Sequence, residues 1–187
     1  MTTSLLRSLD YGHTTTVLRS HIKIADTYFN KYQMITLDKI KRNVPVSAGC
    51  LIILNRNKVL LGHPTNNSWN NCYSPPKGGV NPGESILDAA IRETKEEMSI
   101  DIKLTQISNK DNPVLVNYYK KKALFKQVYL YIVSINSISE VGMESEVLDK
   151  SRLQIEELDW AGFLTKKEAQ PKIFFRFWPL IDKILEE

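Results

Sequence analysis

The chain has 187 residues, a formal net charge of +4, 42% hydrophobic and 25% charged residues, a size that suits one domain with an appendage rather than two large domains. No stretch approaches the roughly 20 apolar residues of a membrane-spanning helix, and Met1 to Ser20 interrupts its short apolar pieces with Arg7, Asp10, His13 and Arg19, unlike a secretory leader. A membrane-inserted or secreted protein is therefore not expected, and a cytoplasmic one is.

Residues 1–43 show no clean periodicity and read as an appendage packing on a core domain of residues 44–187. The basic surplus lies there: residues 1–44 hold seven Lys/Arg against three Asp/Glu, and the remainder holds eighteen of each. It reads as solvated surface, with steering of a polyanion such as RNA as the alternative. After Pro45, the run Val46 to Leu54 is apolar enough for a central strand, and Asn55 to Lys58 supplies a turn before Val59-Leu-Leu61, giving a hairpin. Cys50 sits inside that strand and Cys72 in a polar loop, a pattern of incidental thiols rather than of a disulfide framework or a zinc site.

A polar loop around Trp69 leads into Tyr73-Ser-Pro-Pro-Lys-Gly-Gly79, where two prolines and two glycines argue against a regular element, and Pro82-Gly83 marks another turn. Ser85 to Met98 has good helix formers and no Gly or Pro, with Glu84 and Asp88 near its start, where acids complement the helix dipole. Val114 to Tyr119 and Ala123 to Ile135 read as strands joined by a lysine turn, Lys120 to Lys122. Leu158 to Leu164 reads as a last strand and Pro179 to Glu187 as a closing amphipathic helix. Several consecutive strands around one long helix suggest an α+β class or a sheet sandwiched by helices, and the pattern alone goes no further.

At about 100° per residue, Ile86, Ala89, Ala90, Glu93, Glu96, Glu97 and Ile100 share one stripe of the helix. An apolar stripe that ends in three carboxylates places acids where burial and mutual repulsion are costly unless a cation sits between them. Oxygen-only donors suit Mg²⁺ or Mn²⁺, which bridge carboxylates and substrate phosphates. The competing reading is a solvated helix end with Arg92 and Lys95 pairing the acids. The continuity of the acids with the apolar stripe, and the Gly-rich loop ahead of them, count against it.

Gly78, five residues, Glu84, seven residues and then Arg92-Glu-Thr-Lys-Glu-Glu97 resembles the Nudix box, from Gly78 to Ile100. Thr94 stands where an aliphatic residue is usual and Ser99 where glycine is usual. The resemblance implies an α/β/α sandwich with a mixed sheet and metal-dependent hydrolysis of a nucleoside diphosphate linked to another moiety. It further implies metal ligation by Glu93, Glu96, Glu97 and the Gly78 backbone, with Arg92 orienting a glutamate and Glu84 in support. The family's general base is not fixed by the box; Glu144 and Glu146 are the late-loop candidates here. For substrate contacts, Lys77, Trp69 and Tyr118 are the candidates, with Tyr119 and Phe125 as further rings that could stack on a base.

The words around Tyr73 to Gly78 and Arg92-Glu-Thr94, and the position of Tyr118, are similar to the dinucleoside tetraphosphate (Ap4A) hydrolases of the family. Gly79 to Glu84 is similar to the RNA 5′-pyrophosphohydrolases, the second choice. Pro113 is slender support for an ADP-ribose enzyme, a downstream motif of the NADH-cleaving members is absent, and a non-catalytic nucleotide binder would be expected to have lost box acids. Oligomeric state is left open.

Overall fold

The computed structural model describes residues 44–65 and 72–186. The expected appendage of residues 1–43 and its interactions lie outside the described residues, as does Trp69.

Six strands form one mixed sheet: β1 (Val46–Leu54), β2 (Lys58–Pro64), β3 (Lys77–Gly79), β4 (Val114–Lys120), β5 (Ala123–Ile135) and β6 (Leu158–Thr165), in the order β4-β5-β1-β2-β6 with β3 also on β1. The β1–β5 pair is parallel and the other pairs are antiparallel. All of β1 after Val46 is buried, as a strand covered on both faces must be. Its residues alternate between two cores. Ala48, Cys50, Ile52 and Leu54 pack toward α1 (Ile86–Met98) and its Ala89, Ala90 and Met98. Leu51 and Ile53 pack toward the C-terminal segment, where Phe177 and Ile181 are fully buried; each such side chain contributes roughly 1.5–3 kcal/mol. Helical layers on both sheet faces make the expected α/β/α sandwich.

Two short helices close the chain, α2 (Lys166–Ala169) and α3 (Trp178–Ile184). The first was not read from sequence, although Thr165 and Glu168 form a capping box around it. The second stops short of the expected Glu187, Leu185 having returned to an extended conformation. No described helix is long and apolar enough to cross a membrane.

The larger surprise is β3, in the stretch where prolines and glycines argued against a regular element. Its partner residue Gly49 explains it: a Cβ there would lie 2.0 Å from the Pro76 carbonyl oxygen and 2.6 Å from the Lys77 Cβ. Only the bare backbone of Gly49 lets Lys77 approach β1 closely enough to pair. β3 thus brings the Gly-rich loop against the start of the sheet, next to the C-terminal half of α1.

Candidate active site

Helix α1 is held at both ends by local chemistry. Ser85 caps its N-terminus, its hydroxyl accepting from the Asp88 N–H at 3.0 Å. Ser99 ends it in the left-handed region at φ 49°, the conformation for which glycine is usual. The serine is tied down instead: its hydroxyl donates to the Arg152 carbonyl at 2.7 Å, and the Arg152 guanidinium donates to the Ser99 carbonyl at 2.8 Å. The other departure, Thr94, is fully buried, and its hydroxyl donates to the Ala90 carbonyl at 2.8 Å, where the buried Cys50 thiol also points. Burial pushes that thiol up to about 11, so Cys50 is an inert core group.

Arg92 organises the acids. Its guanidinium makes five hydrogen bonds: two to Glu84 (2.7 and 2.9 Å), one each to Glu93 (2.7 Å) and Glu96 (2.8 Å), and one to the Gly79 carbonyl (2.8 Å). Five is its full donor complement. Those to Glu84, aided by the Asn81 N–H, hold the Glu84 carboxyl down to about 2. The arginine therefore staples α1 to the loop that follows β3.

Glu97 is only 4% exposed, and its carboxylate accepts from the Lys77 N–H at 3.3 Å. Burial pushes it up to about 8; Lys77 opposes the push, and the charges of Glu157 and Glu93 reinforce it. Burial likewise raises Glu93, and lowers the Lys77 ammonium, which donates to the Ser74 hydroxyl at 3.0 Å. Gly78 fits tightly: a Cβ there would fall 2.0 Å from a Glu93 carboxylate oxygen. Glu96 is the odd one of the three box acids, its side chain 51% exposed, because Thr94 and Met98 rather than Glu96 continue the buried face.

Two members of this group were not anticipated. Glu157, at the turn before β6, acts electrostatically on Glu93, Glu97 and Lys77. It is brought there because the Gln154 N–H donates to the Glu97 carbonyl, pinning the loop to the end of α1. Lys126 on β5 is lowered by burial, with the charge of Lys77 adding to the push and that of Glu97 opposing it. An acid directly ahead of a strand and a lysine within an apolar one were the available signals.

The late-loop acids fall elsewhere. Glu146 is bonded at 2.6 Å to Lys58, which lies at the far end of β2 from Pro64, about 20 Å along the strand. It is thus removed from the Glu97 group, since Pro64 pairs with Leu158 beside Glu157. Glu144 lines a separate surface cavity of ≈ 550 Å³ with Met143, Leu148 and Arg152. Tyr118 is also corrected: it is 2% exposed, its ring stacked on Phe174 at 5.6 Å with the Arg176 guanidinium 5.2 Å from its centre. It is core, packed against the C-terminal segment, rather than an open stacking platform.

Among the described residues no three acidic, histidine or cysteine side chains already converge as a metal cage; Arg92 turns one oxygen each of Glu93 and Glu96 toward itself. The donor chemistry nonetheless fits a hard divalent cation: several carboxylates, one of them nearly buried, crowd against a glycine backbone.

Residues 44–177 match the NUDIX domain family. The chain belongs to the Nudix family. The box spacing from Gly78 to Ile100 therefore sits in its proper setting, on a loop, a capped helix and the sheet they cover. A bis(5′-nucleosyl)-tetraphosphatase (asymmetrical) from Caenorhabditis elegans is 36% identical over 74 residues, 40% of this chain and 52% of that one. A pig protein of the same name is 62% identical over 29 residues, 20% of its length. This Nudix chain thus aligns with about half, or less, of the curated relatives it matches. Among solved structures, the C. elegans Ap4A hydrolase binary complex gives a TM-score of 0.51 at 25% identity, covering 75% of this chain and 94% of that one. A MutT Nudix hydrolase from Burkholderia pseudomallei gives 0.59 at 14% identity, covering 76% and 99%, a likeness of fold.

Proposed function

We propose that this chain is a Nudix hydrolase that cuts a phosphoanhydride bond of a dinucleoside polyphosphate, Ap4A in the first instance, with water as nucleophile. The observation behind it is the group formed by Glu93, Glu97 and Glu157 beside Lys77, with every donor of Arg92 spent on holding the box in place. The name borne by the worm and pig relatives favours the same substrate.

Glu93, Glu96, Glu97 and the Gly78 carbonyl are the residues that would hold Mg²⁺ or Mn²⁺. Such an ion neutralises phosphate charge and makes a bound water more acidic. Glu97 is the principal anionic ligand, because its burial makes its charge costly until a cation compensates it. Glu157 replaces Glu144 and Glu146 as the late-loop acid, within reach of the same group and more exposed to solvent, as an acceptor of the water's proton needs to be. Lys77 and Lys126 are cations for the polyphosphate, and Arg92 positions Glu93 and Glu96 without touching substrate. The catalytic domain comprises residues 44–187, with residues 1–43 an appendage, in a cytoplasmic protein.

The test is product analysis with Mg²⁺ or Mn²⁺ and a panel of Ap4A, ADP-ribose, NADH, nucleoside triphosphates and 5′-triphosphate RNA. Selective metal-dependent conversion of Ap4A to ATP and AMP is the expected result. Preference for another member of the panel would displace Ap4A, and inertness toward all of them would remove the hydrolase assignment.

A further inference from the structure

Strand β6 enters the sheet with an irregularity. It pairs with β2 residue for residue from Thr165 back to Trp160, which faces His63, and the next pair is Leu158 with Pro64. Asp159 is therefore the extra residue of a β-bulge, a feature that bends a strand and re-aims the side chain it carries. That side chain turns to β2, where the His63 Nδ1–H donates to its carboxylate at 2.5 Å; the imidazole is largely covered, its side chain 18% exposed. The bulge lies just past Glu157. An ion pair at a strand end ordinarily adds little to stability, so its weight here lies in where it holds the chain.

The end of β2 serves both sides of the box. On one side, the Gly62 N–H donates to the Ser74 carbonyl at 2.8 Å and the Ser74 N–H returns a bond of 3.0 Å, while the Ser74 hydroxyl receives the Lys77 ammonium. On the other, the Thr65 N–H donates to the Glu157 carbonyl at 2.8 Å and the Thr65 hydroxyl to the Ile155 carbonyl at 2.7 Å. A Cβ at Gly62 would lie 2.9 Å from methyl groups of Leu158 and Met98, so a bare backbone there lets the start of β6 close onto the end of α1. His63 reaches both sides with one side chain: its ring meets Tyr73 edge-on at 5.0 Å, and its Nδ1 holds Asp159. The tie to α1, in which the Glu157 N–H donates to the Gln154 carbonyl and the Gln154 N–H to that of Glu97, secures only the near end of the 154–159 loop.

We infer that His63 is a positioning residue: its bond to the bulged Asp159 fixes the far end of the 154–159 loop and so sets where Glu157 stands beside the last turn of α1. The use of Glu157 as proton acceptor rests on the hydrolase proposal, whereas the anchor does not. A proton acceptor has to lie within hydrogen-bond reach of the proton it takes, and a misplacement of about 1 Å costs about 10²-fold in rate. His63 thus acts on the reaction through Glu157 and touches no reacting atom.

The experiment joins amide hydrogen exchange with kinetics, both on the full chain. In His63→Leu, exchange of the Thr65 amide, read by NMR, should quicken about tenfold while Leu60 and Leu61 of the same strand stay within about twofold, the signature of a local opening. With Ap4A and Mg²⁺, kcat should fall about 100-fold and KM should change less than about twofold. His63→Asn, whose amide N–H stands where the Nδ1–H did, should restore kcat to within about threefold of the parent, and Asp159→Leu should reproduce the loss. In a Glu157→Gln background, His63→Leu should cost less than about twofold more, because a residue that acts through Glu157 has nothing left to position. A Thr65 amide unmoved by His63→Leu would overturn the inference. So would losses that multiply in full in the double variant, or a folded His63→Asn protein as slow as His63→Leu. If the parent leaves Ap4A intact, or Glu157→Gln keeps full turnover, while Thr65 exchange quickens as stated, the hydrolase assignment or the proton-acceptor role falls and the anchor stands.

Discussion

The box and the β4–β5 tip handle charge in opposite ways. Around α1 the polar groups are spent on one another: Arg92 uses all five donors on Glu84, Glu93, Glu96 and Gly79, and Glu97 lies against the Lys77 backbone. At the β4–β5 tip, Lys120 to Lys122 and the rings of Tyr119, Phe125 and Phe175 face outward, with Arg176 as their tie to the core. The first end is tightly interlocked and should tolerate little change. The second is an open surface where single substitutions should leave the fold alone.

Several substitutions test that contrast. Glu97→Gln, which keeps shape and removes charge, should cut metal-dependent turnover by at least about 10³-fold in a folded protein; near-normal turnover would show that the box end does not carry the chemistry. Arg92→Lys should cost about 10–100-fold, because an ammonium cannot reproduce the planar fork that serves three carboxylates at once. Steady-state kinetics beside a circular dichroism melt would separate that loss from unfolding. Gly78→Ala should destabilise by about 1–3 kcal/mol in chemical denaturation, since its Cβ would displace the Glu93 carboxylate; an unchanged midpoint would mean that β3 yields easily.

A subtler effect follows from protonation. The folded Glu97 carboxyl lies at about 8 against an ordinary 4.5, so the folded state binds this proton more tightly than the unfolded one. Its contribution to stability is fully present below pH 4.5 and is lost as pH rises through 8. In chelator, Glu97→Gln should therefore melt about 5 °C above wild type at pH 8.5 and close to it at pH 5. A constant offset between those pH values would show that Glu97 is not the group responsible. Smallest of all, Phe175→Ser should leave Ap4A turnover within about twofold, the behaviour of a group outside the box; a large loss would erase the distinction between the two regions.

What could be read from sequence divides along the same line. The helix, its cap and the box were legible because their information is local: Ser85, the apolar stripe and the acids lie within one 14-residue window. The central strands were legible because burial on both faces leaves an uninterrupted apolar run. β3 was not, because its pairing depends on the missing side chain of Gly49, nearly thirty residues upstream. Glu157 was hidden for a similar reason, being placed by a backbone hydrogen bond from Gln154 to the end of α1 that no residue pattern announces. Glu146 was a candidate in sequence, and its pairing with Lys58 sets it apart from the Glu97 group. Tyr118 sits at the anticipated position in its strand, but whether a ring there faces a ligand or the core was decided by Phe174 and Arg176.

The paired bonds between Ser99 and Arg152, with the Gln154 tie just beyond, have a mechanical consequence. They weld the segment that leads to Glu157 onto the last turn of α1, so any rocking of the helix carries Glu157 along with Glu93 and Glu97. The acids on the helix and the acid on the loop then behave as a single casting, whose gauge is fixed by hydrogen bonds to backbone atoms rather than by side-chain packing.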